Sequence, residues 1–477
     1  MGNKNDSYDR KLIYDVVIAG GGTSGVVSAI AAARMGVKTL LIEKSCNLGG
    51  QLTSGLPLCG TRSAVGEWLI GGITTELINK CKEIDSLTTK CIWDWRVMWI
   101  YMIDTELLKI VIMDSIEQAK VSLLVNTMIY DVLTKGGVLK TLVATDGTNK
   151  YLIDAKQFID ATGDGLVAAK AGVPFVHNKY NGNGEVQPVS MIFRMNNINL
   201  KEFLEFIRDN PENIICGESP IINKTRAECV YEIYKQGYPT AGLDARGPIL
   251  SSAIKSGEMF PTIGVYWNLV SKRRNEIALN TTRVANIDST ISEQLSLTLP
   301  ELFNQINMCV KFFNNRIPGF EKANLCNISQ LIGIRENRRI IGEYILNKSD
   351  VLSRRKFKDV IARSGHHVDI MKKIDIHGSG TNQVRIPIPE GGAYDIPFRC
   401  LIPKDIENLL VVGRSISSDR EAFSSLRQMS TCMMMGQAAA VASVLSIKHN
   451  KTPRAIPFEI IKNELEKQGF YDVSKNE

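Results

Sequence analysis

The chain has 477 residues, of which 44% are hydrophobic and 22% are charged, with a formal net charge of +7. This balance excludes an intrinsically disordered chain and predicts a globular protein of two or three domains. The polar start, MGNKNDSYDR, lacks the apolar run of a secretory signal, and no stretch is long and uncharged enough to predict a membrane span, so we expect a cytoplasmic protein.

The first predicted element is a buried strand at residues 14–19, a short apolar run. Gly20, Gly22 and Gly25 follow with the spacing G-x-G-x-x-G. The first glycine permits a tight turn, the second lets the backbone approach a pyrophosphate, and the third lets a helix pack on the strand. Residues 24–35 are predicted to form that helix, whose N-terminus favours negative charge. The motif therefore predicts a bound dinucleotide.

A second strand and an acid complete this unit. Gly36 is a natural end for the helix, residues 37–42 form an apolar run, and Glu43 stands 23 residues after Gly20. An acid at that place is suited to accept hydrogen bonds from a ribose. The next segment, KSCNLGGQLTSG, brings two more glycines that allow a close approach of the backbone to a ligand.

The following part of the chain predicts a helix and then small β structure. Residues 104–120 have a helical pattern, and residues 121–156 form three strand-like runs separated by glycine-containing turns. Before them, Trp95 and Trp99 are spaced to share a helical face, which predicts a packing role. From about residue 176 the pattern changes to longer mixed segments, which we interpret as an inserted substrate domain.

Two later strands end as the first one does. KQFID runs into ATGDG at residues 161–165, and NLLVVG at residues 408–413 runs into Arg414. An NAD-binding domain normally completes its contacts within one contiguous segment. Three distant strand ends, each closing in glycine, therefore favour a longer ligand, FAD. The predicted units are a first part of the FAD-binding domain (1–175), a substrate or cap domain (176–394), a second part of the FAD-binding domain (395–450), and a C-terminal helix and tail (451–477).

These segments resemble the FAD-dependent oxidoreductases of the glutathione-reductase/fumarate-reductase superfamily. Within it they are most similar to the branch that is often labelled simply "FAD-dependent oxidoreductase". The matching segments are DVVIAGGGTSG, IEKSCNLGGQLTSG, KQFIDATGDG, IGIRENRRIIGEY and the tail DIPFRCLIPKDIENLLVVGRSIS…EAFSSLRQMSTCMMMGQAAAVAS. They run from residue 15 to about residue 445, and the tail is the most specific of them. The resemblance implies an α/β fold: a Rossmann-like FAD-binding domain with a parallel sheet and a small β meander, plus an inserted α+β domain.

The resemblance also implies which residues contact FAD. The glycine turn would carry the pyrophosphate, Glu43 the adenosine ribose, and the main chain near Thr127 the adenine, while the later loops would approach the ribityl chain and the flavin. The residues expected at the cofactor are Gly20, Gly21, Gly22, Thr23, Ser24, Gly25, Glu43, Lys44, Gly49, Gly50, Gln51, Leu52, Thr53, Thr127, Met128, Ala161, Thr162, Gly163, Gly413, Arg414, Ser425, Leu426 and Arg427.

A long helix is predicted to start near residues 426–429. Its positive end is expected to point at the flavin pyrimidine and so favour reduction, because reduced flavin carries negative charge there. Its small residues, among them Gly436 and Ala439, are expected to let it pack tightly against the glycine-rich strand.

Ten cysteines occur without any C-x-x-C pair, which argues against an iron–sulfur cluster, a structural zinc or a dithiol relay and predicts reduced thiols and no metal site. The disulfide reductases of the superfamily carry a cysteine pair soon after the LGG segment, whereas Cys59 stands alone here. The His-Gly-Ala and Arg-Leu-Gly-Gly segments of succinate and fumarate enzymes have no match either, which disfavours both of those reactions.

Catalysis requires hydride exchange at flavin N5, an oriented substrate and a group that handles one proton. We predict Arg427, His377 and His367 for these roles. Two registers of the family's Asp-Ile-His segment stay open, at residues 368–370 and 374–376, and only the second leads to His377. The further candidates for proton handling are His366, Tyr394, Arg194 and Arg414. The segment from Arg335 to Arg339 is predicted to be a helix that carries an internal ion-pair network.

The leading functional hypothesis is an enzyme that moves a hydride between FAD and a small organic molecule; an alcohol, an amine and a C–C bond all remain open as the site of reaction. A second hypothesis is a flavoprotein that acts on nucleic acid, since eleven basic residues face six acidic ones over residues 335–375. The absence of a long basic helix or an RNA-binding motif disfavours it. A third is a flavin subunit that passes electrons to a protein partner. The sequence predicts no membrane association and leaves the oligomeric state open.

Overall fold

The computed structural model describes residues 9–96, 98–177, 184, 186–217, 221–371 and 383–471. Within them the helices are α1 (Thr23–Arg34), α2 (Gly72–Ile84), α3 (Thr105–Gln118), α4 (Leu166–Lys170), α5 (Leu200–Asp209), α6 (Arg226–Gln236), α7 (Pro248–Lys255), α8 (Ser292–Ser296), α9 (Leu299–Arg316), α10 (Lys348–Leu352), α11 (Arg420–Leu426), α12 (Met429–His449) and α13 (Phe458–Lys467). The strands are β1 (Asp9–Ala19), β2 (Thr39–Ile42), β3 (Leu58–Cys59), β4 (Lys90–Asp94), β5 (Met98–Met102), β6 (Ser122–Leu124), β7 (Met128–Lys135), β8 (Val138–Thr145), β9 (Lys150–Asp160), β10 (Phe175–Val176), β11 (Phe193–Asn196), β12 (Ala241–Asp244), β13 (Gly264–Ser271), β14 (Glu276–Asn280), β15 (Asn324–Ile328), β16 (Arg339–Ile340), β17 (Val360–Ser364), β18 (Val368–Met371), β19 (Gln383–Ile386), β20 (Tyr394–Pro397) and β21 (Leu409–Val411).

The largest sheet combines a parallel core with an antiparallel extension. Its order is β6-β2-β1-β9-β8-β7, and β21 pairs with β9. Strand β9 pairs with β8 in antiparallel fashion through residues 150–154 and with β21 in parallel fashion through residues 158–160. One strand thus closes the predicted β meander and then continues into the parallel core. The Rossmann-like α/β fold with its small meander is confirmed.

This topology brings three distant chain segments to one sheet edge. Ala19 at the end of β1 lies opposite Asp160 at the end of β9, and Asp160 lies opposite Val411 at the end of β21. The strands are parallel, so the loops that follow them leave the sheet on the same side. The convergence that the sequence predicted therefore has its cause in strand pairing between residues separated by about 250 positions in the chain.

Helix α12 packs against α1. A Cβ on Gly436 would lie 2.4 Å from the carbonyl oxygen of Ser24, and the hydroxyl of Ser28 donates a hydrogen bond to the carbonyl of Gly436 at 2.9 Å. Small residues thus allow close contact as predicted. Most of this contact is with α1, and the helix also reaches the sheet, where Gln157 of β9 donates a hydrogen bond to the hydroxyl of Ser446 at 3.0 Å. Among the described helices, α12 alone has the length and apolar composition of a membrane span, and 94% of its most apolar window is buried within the protein.

A second, antiparallel sheet has the order β12-β13-β14-β11-β15 and its own aromatic core. Phe203 and Phe320 meet edge to face with ring centroids 4.9 Å apart; Trp267 packs against Phe203 at 5.1 Å and Phe313 against Phe320 at 4.8 Å. The hydrophobic cores cross the predicted domain boundaries in two places: Ile92 and Ile100 belong to this second core, whereas Ile361 and Tyr394 belong to the first. The boundaries themselves stay a prediction.

Two local predictions were wrong. Trp95 and Trp99 do not share a helix: β4 and β5 form a hairpin in which Trp93 pairs with Trp99, their ring centroids 5.5 Å apart. Spacing of four residues also suits a hairpin, so it could not decide between the two. The segment from Arg335 to Arg339 is extended, with Arg339 in β16 paired to β10. The ion pairs predicted there are present: Glu336 pairs with Arg339 at 3.2 Å and with Arg420 at 3.4 Å. Only the helix was wrong, because partners from distant segments outweigh the local helical pattern.

Candidate functional site

The glycine turn after β1 shows which glycines the protein needs for itself and which it leaves for a ligand. Gly20 has φ +101°, and a Cβ there would lie 2.6 Å from the carbonyl oxygen of Ala161. A Cβ on Gly25 would lie 1.8 Å from the carbonyl oxygen of Gly20. A Cβ on Gly22, by contrast, would meet no described atom within 4 Å. The first and third glycines therefore serve close packing, and the second faces space that a pyrophosphate can enter.

Glu43 orders this turn with both of its carboxylate oxygens. Oε2 accepts a hydrogen bond from the backbone N–H of Gly21 at 2.7 Å, and Oε1 accepts one from the N–H of Ser45 at 3.0 Å. The carboxylate also lines the cleft beside the turn. The acid predicted to contact a ribose thus has a structural task as well, since it joins the ends of β1 and β2.

Two helix N-termini point into the same cleft without side-chain caps. Helix α1 starts after Gly22 and helix α12 after Gln428, and neither has a capping side chain or an acidic residue in its first turn. Thr23 and Ser24 of α1 and Met429 of α12 line the cleft. Free N–H groups and the positive ends of the helix dipoles therefore face the ligand space from two directions.

The cleft, of about 410 Å³, collects most of the residues that the sequence assigned to the cofactor. The predicted residues that line it are Gly20, Gly22, Thr23, Ser24, Glu43, Lys44, Gly50, Gln51, Ala161, Thr162, Gly163, Gly413, Arg414 and Arg427, together with His367. The predicted residues that do not line it are Gly21, Gly25, Gly49, Leu52, Thr53, Thr127, Met128, Ser425 and Leu426.

Several residues of the second set support the cleft from behind. The N–H of Gly49 donates to the carbonyl of Gly21 at 2.8 Å, and the N–H of Thr127 donates to the carbonyl of Glu43 at 3.0 Å. The hydroxyl of Ser425 donates to the carbonyl of His366 and accepts from the hydroxyl of Tyr394 at 2.8 Å. These contacts fix the loops that carry the lining residues.

The paired histidines lie where the second sheet and α12 meet the cleft. Both line it, and their rings stack with centroids 4.0 Å apart. His366 Nδ1 donates to the carbonyl of His367 at 2.8 Å, which leaves Nε2 of His366 unprotonated in the neutral ring. Burial lowers the pKa of His366 to about 4 and the pKa of His367 well below its usual range. Both rings are therefore neutral at neutral pH.

The remaining predicted catalytic residues have different positions. Arg427 lines the cleft beside the start of α12, and His377 lies outside the described residues. Arg194 is turned away and forms ion pairs with Glu106 at 2.7 Å and Glu276 at 2.8 Å. Arg414 lines the cleft and forms an ion pair with Asp164 at 2.8 Å. Tyr394 is fully buried beneath the histidines.

Sequence reasoning missed the polar residues that the second sheet and its neighbours bring to the cleft. Tyr266 and Asn268 come from β13, Asn280 ends β14, and Arg385 lies on β19. Asp369 lines the cleft from β18; burial would raise its pKa, but its electrostatic interactions with His367, Arg385 and Arg427 outweigh that effect and lower it. No local motif marks these residues. Asp369 alone had a signal, the first of the two Asp-Ile-His registers.

Cys59 and Cys432 also line the cleft, and burial raises the pKa of each thiol to about 12. Thiols with such pKa values are protonated and weakly nucleophilic at neutral pH. All ten cysteines of the chain lie in the described part and are free. The geometry gives no support to a dithiol reaction.

Parallel strand ends lined with glycine, an acid at the second strand and two uncapped helix N-termini define a dinucleotide-binding flavoprotein. A family model described as "FAD dependent oxidoreductase" matches residues 15–465 of the chain. The chain belongs to this family, and its cofactor is FAD. The open space at Gly22 and the free helix N-termini fit that cofactor.

Individual known proteins are similar to parts of the chain or to its fold. A segment of 37 residues is 62% identical to dihydrolipoyl dehydrogenase of Bacillus subtilis (strain 168) and covers 8% of each of the two chains. A geranylgeranyl bacteriochlorophyll reductase-like protein of Thermoplasma acidophilum superposes with a TM-score of 0.44 at 13% identity, covering 98% of this chain and 87% of the other. The match to GidA of Aquifex aeolicus has a TM-score of 0.44 at 13% identity and covers 92% of this chain and 64% of the GidA chain.

Proposed function

We propose that this enzyme transfers a hydride between bound FAD and a small organic substrate that occupies the cleft beside the second sheet. The observation that supports this is the composition of the cleft. One wall consists of backbone loops suited to a dinucleotide, and the other carries polar side chains, among them Tyr266, Asn268 and Arg427. A ligand other than the cofactor is what such a second wall would recognise.

Bound FAD supplies the hydride acceptor or donor, N5 of its flavin ring. The predicted contacts of the glycine turn, Gly50, Gln51, Gly413 and Arg414 would hold it. Arg427 and the N-terminus of α12 together present positive charge to the cleft, which stabilises any negative charge that develops there. This role needs no proton transfer from the arginine.

His367 is the residue that we assign to the substrate proton. Its Nε2 is buried and has no hydrogen-bond partner among the described residues. Its ring is neutral, and in the tautomer protonated at Nδ1 its Nε2 would accept a hydrogen bond from the substrate or take its proton. Asp369 lies close enough to favour the charged ring electrostatically once a proton arrives. His377, which lies outside the described residues, stays a prediction for the same role.

The basic stretch gives little support to nucleic acid as the substrate. Its side chains mostly have acidic partners: Arg354 pairs with Glu390 at 2.6 Å and Arg355 with Asp350 at 2.9 Å, and Arg363 pairs with Glu67. An RNA-binding face requires basic side chains that are available to phosphates. We therefore propose a small-molecule substrate and no nucleic acid.

An anaerobic titration tests the proposal. The purified yellow protein is mixed with NADPH, NADH and candidate alcohols, amines and unsaturated compounds one at a time, and the visible absorption of the flavin is followed. We expect at least one hydride donor to bleach it, with a slower rate when the transferred hydrogen is deuterium. Bleaching by one-electron reductants alone would overturn hydride transfer in favour of an electron-passing subunit.

A further inference from the structure

The arginines that line the cleft fall into two groups. Arg414 has a carboxylate partner in Asp164 at 2.8 Å, and the Nε of Arg96 donates to Asp94 at 2.8 Å. Arg385 lies 4.0 Å from Asp369. Each of these three guanidinium groups therefore has a carboxylate of the protein within 4.0 Å.

Arg335 and Arg427 form the second group, because their hydrogen bonds within the described part of the chain go only to neutral acceptors. Arg335 donates to the carbonyl of Pro188 at 2.9 Å and to the hydroxyl of Ser190 at 2.8 Å. Arg427 reaches the side-chain oxygen of Gln187 at 3.4 Å, and its Nε has no partner among the described residues. Both side chains line the cleft.

The surroundings make this positive charge costly. Burial, with the charges of Arg427 and Arg283 beside it, lowers the pKa of Arg335 to about 9. Burial likewise lowers the pKa values of Arg427 and Arg283. Asp369 offsets part of this effect, because its negative charge raises the pKa values of Arg335 and Arg427, but burial and the neighbouring arginines outweigh it. An arriving anion reduces the remaining cost while it gains charge-assisted hydrogen bonds.

The position of the pair also distinguishes it from the cofactor end of the cleft. Arg335 is held by Ser190 and by Asn280 at the end of β14, and Arg427 precedes α12. The pyrophosphate is expected at the other helix, α1, on backbone N–H groups. Planar guanidinium groups match a carboxylate in both charge and shape, since each can donate two parallel hydrogen bonds.

We propose that the substrate is a small organic carboxylate and that Arg335 and Arg427 bind its carboxylate group. This inference rests on the proposed function and names the class of substrate for the same site. Asp369 lines the same cleft and lies 4.0 Å from Arg385, so the bound anion would lie beside a carboxylate whose charge is partly offset by Arg385. The step adds no reaction: the two arginines bind and orient, and the hydride moves as proposed above.

The test uses the FAD-loaded protein at fixed ionic strength. Benzoate, benzamide, succinate, succinamide and inorganic phosphate are titrated separately, and the dissociation constant is read from the perturbation of the oxidised flavin spectrum. We expect the two carboxylates to bind at least about tenfold more tightly than their amides, because a charge-assisted hydrogen bond is lost in the amide. Phosphate that binds more tightly than both carboxylates would overturn the assignment to a carboxylate.

Single substitutions test whether Arg335 and Arg427 are the residues that bind the carboxylate. Arg335→Gln and Arg427→Gln are each expected to weaken benzoate or succinate binding by about tenfold to a hundredfold, and Arg335→Lys by less, since it keeps the charge. Arg208→Gln is the matched control, because that arginine pairs with Asp209 on the surface. If a variant fails to retain FAD, the comparison of carboxylate with amide in the native protein still decides the matter.

The two proposals fail in different ways. Equal affinity for carboxylates and amides, with hydride donors still bleaching the flavin, would overturn the carboxylate assignment alone. Carboxylate binding without any hydride donor would overturn the proposed function alone. A variant of Arg335 that shifts the flavin midpoint potential but leaves carboxylate affinity unchanged would assign the arginine to the flavin instead and overturn the inference.

Discussion

The two walls of the cleft differ in composition: one consists mainly of main-chain groups and the other mainly of side chains. The wall that is expected to bind FAD, which we call the cofactor wall, presents mostly main-chain groups. They come from the glycine turn, the loops after β9 and β21, and the start of α1. The opposite wall, which we propose to bind the substrate and call the substrate wall, consists mostly of side chains: Tyr266 and Asn268 come from β13, and Arg335 comes from the segment between β15 and β16. Backbone recognition leaves a spacing of glycines that can be read in the sequence, whereas side-chain recognition depends on which residues the fold brings together.

The largest effect on the cofactor wall is expected from a substitution of Gly25. We expect Gly25→Ala to lower FAD affinity at least about a hundredfold and the free energy of unfolding by about 3 kcal/mol or more, because its Cβ would lie 1.8 Å from the carbonyl oxygen of Gly20 and push α1 off the strand. FAD content after gel filtration and thermal unfolding measure the two effects.

Gly22→Ala is the matched control for that change. Space is open around Gly22 in the protein itself, so the fold is expected to keep its stability while FAD affinity falls. Equal loss of stability in both variants would contradict the division between glycines that pack and a glycine that faces the ligand.

A substitution of Glu43 tests whether FAD affinity depends on a side chain at the cofactor wall as well as on main-chain groups. Glu43→Gln removes the charge that accepts hydrogen bonds from the N–H groups of Gly21 and Ser45, and we expect FAD affinity to fall about tenfold. Equilibrium titration of the apoprotein with FAD measures it. Glu117→Gln on the exposed face of α3 should change nothing; an unchanged affinity for both variants would show that the turn holds its shape without the carboxylate.

The two buried histidines at the proposed substrate wall are expected to make the free energy of unfolding depend on pH. His366 and His367 are neutral in the folded protein because burial lowers their pKa values, whereas in the unfolded chain they protonate near 6.5. Their contribution is therefore complete above about pH 6.5 and is lost as the pH falls toward 4, with a slope of roughly 1.4 kcal/mol per pH unit for each histidine.

Chemical unfolding between pH 7 and pH 4 measures that slope. His366→Gln is expected to reduce it, while His449→Gln at the exposed end of α12 is expected to leave it as it is. A native protein whose stability stays level across this range would contradict the burial of two neutral imidazoles at the cleft.

The smallest effect is expected at Cys59. Burial keeps its thiol protonated, and no partner cysteine follows it in the sequence as in the disulfide reductases. We expect Cys59→Ser to change the rate of flavin reduction by no more than about twofold. Stopped-flow absorption with the best hydride donor measures it, and complete loss of reduction would restore a thiol to the mechanism.

The sequence determined the cofactor wall because each of its signals is local. The spacing of Gly20, Gly22 and Gly25, the acid at Glu43 and the start of α12 near Met429 each depend on neighbours within one strand–turn–helix unit. Such units have few alternative conformations, so residue type and spacing suffice to predict them.

Tertiary structure decided most of the proposed substrate wall, although Arg427 and His367 were predicted from the sequence. The extended segment at Arg335 and the hairpin of Trp93 and Trp99 both depart from what local pattern predicted. In each case partners far away in the chain contribute more free energy than the local preference for a helix or a strand. The sequence thus specified the loops expected to bind FAD and pointed to Arg427, and only the meeting of distant segments placed Arg335 in the same cleft.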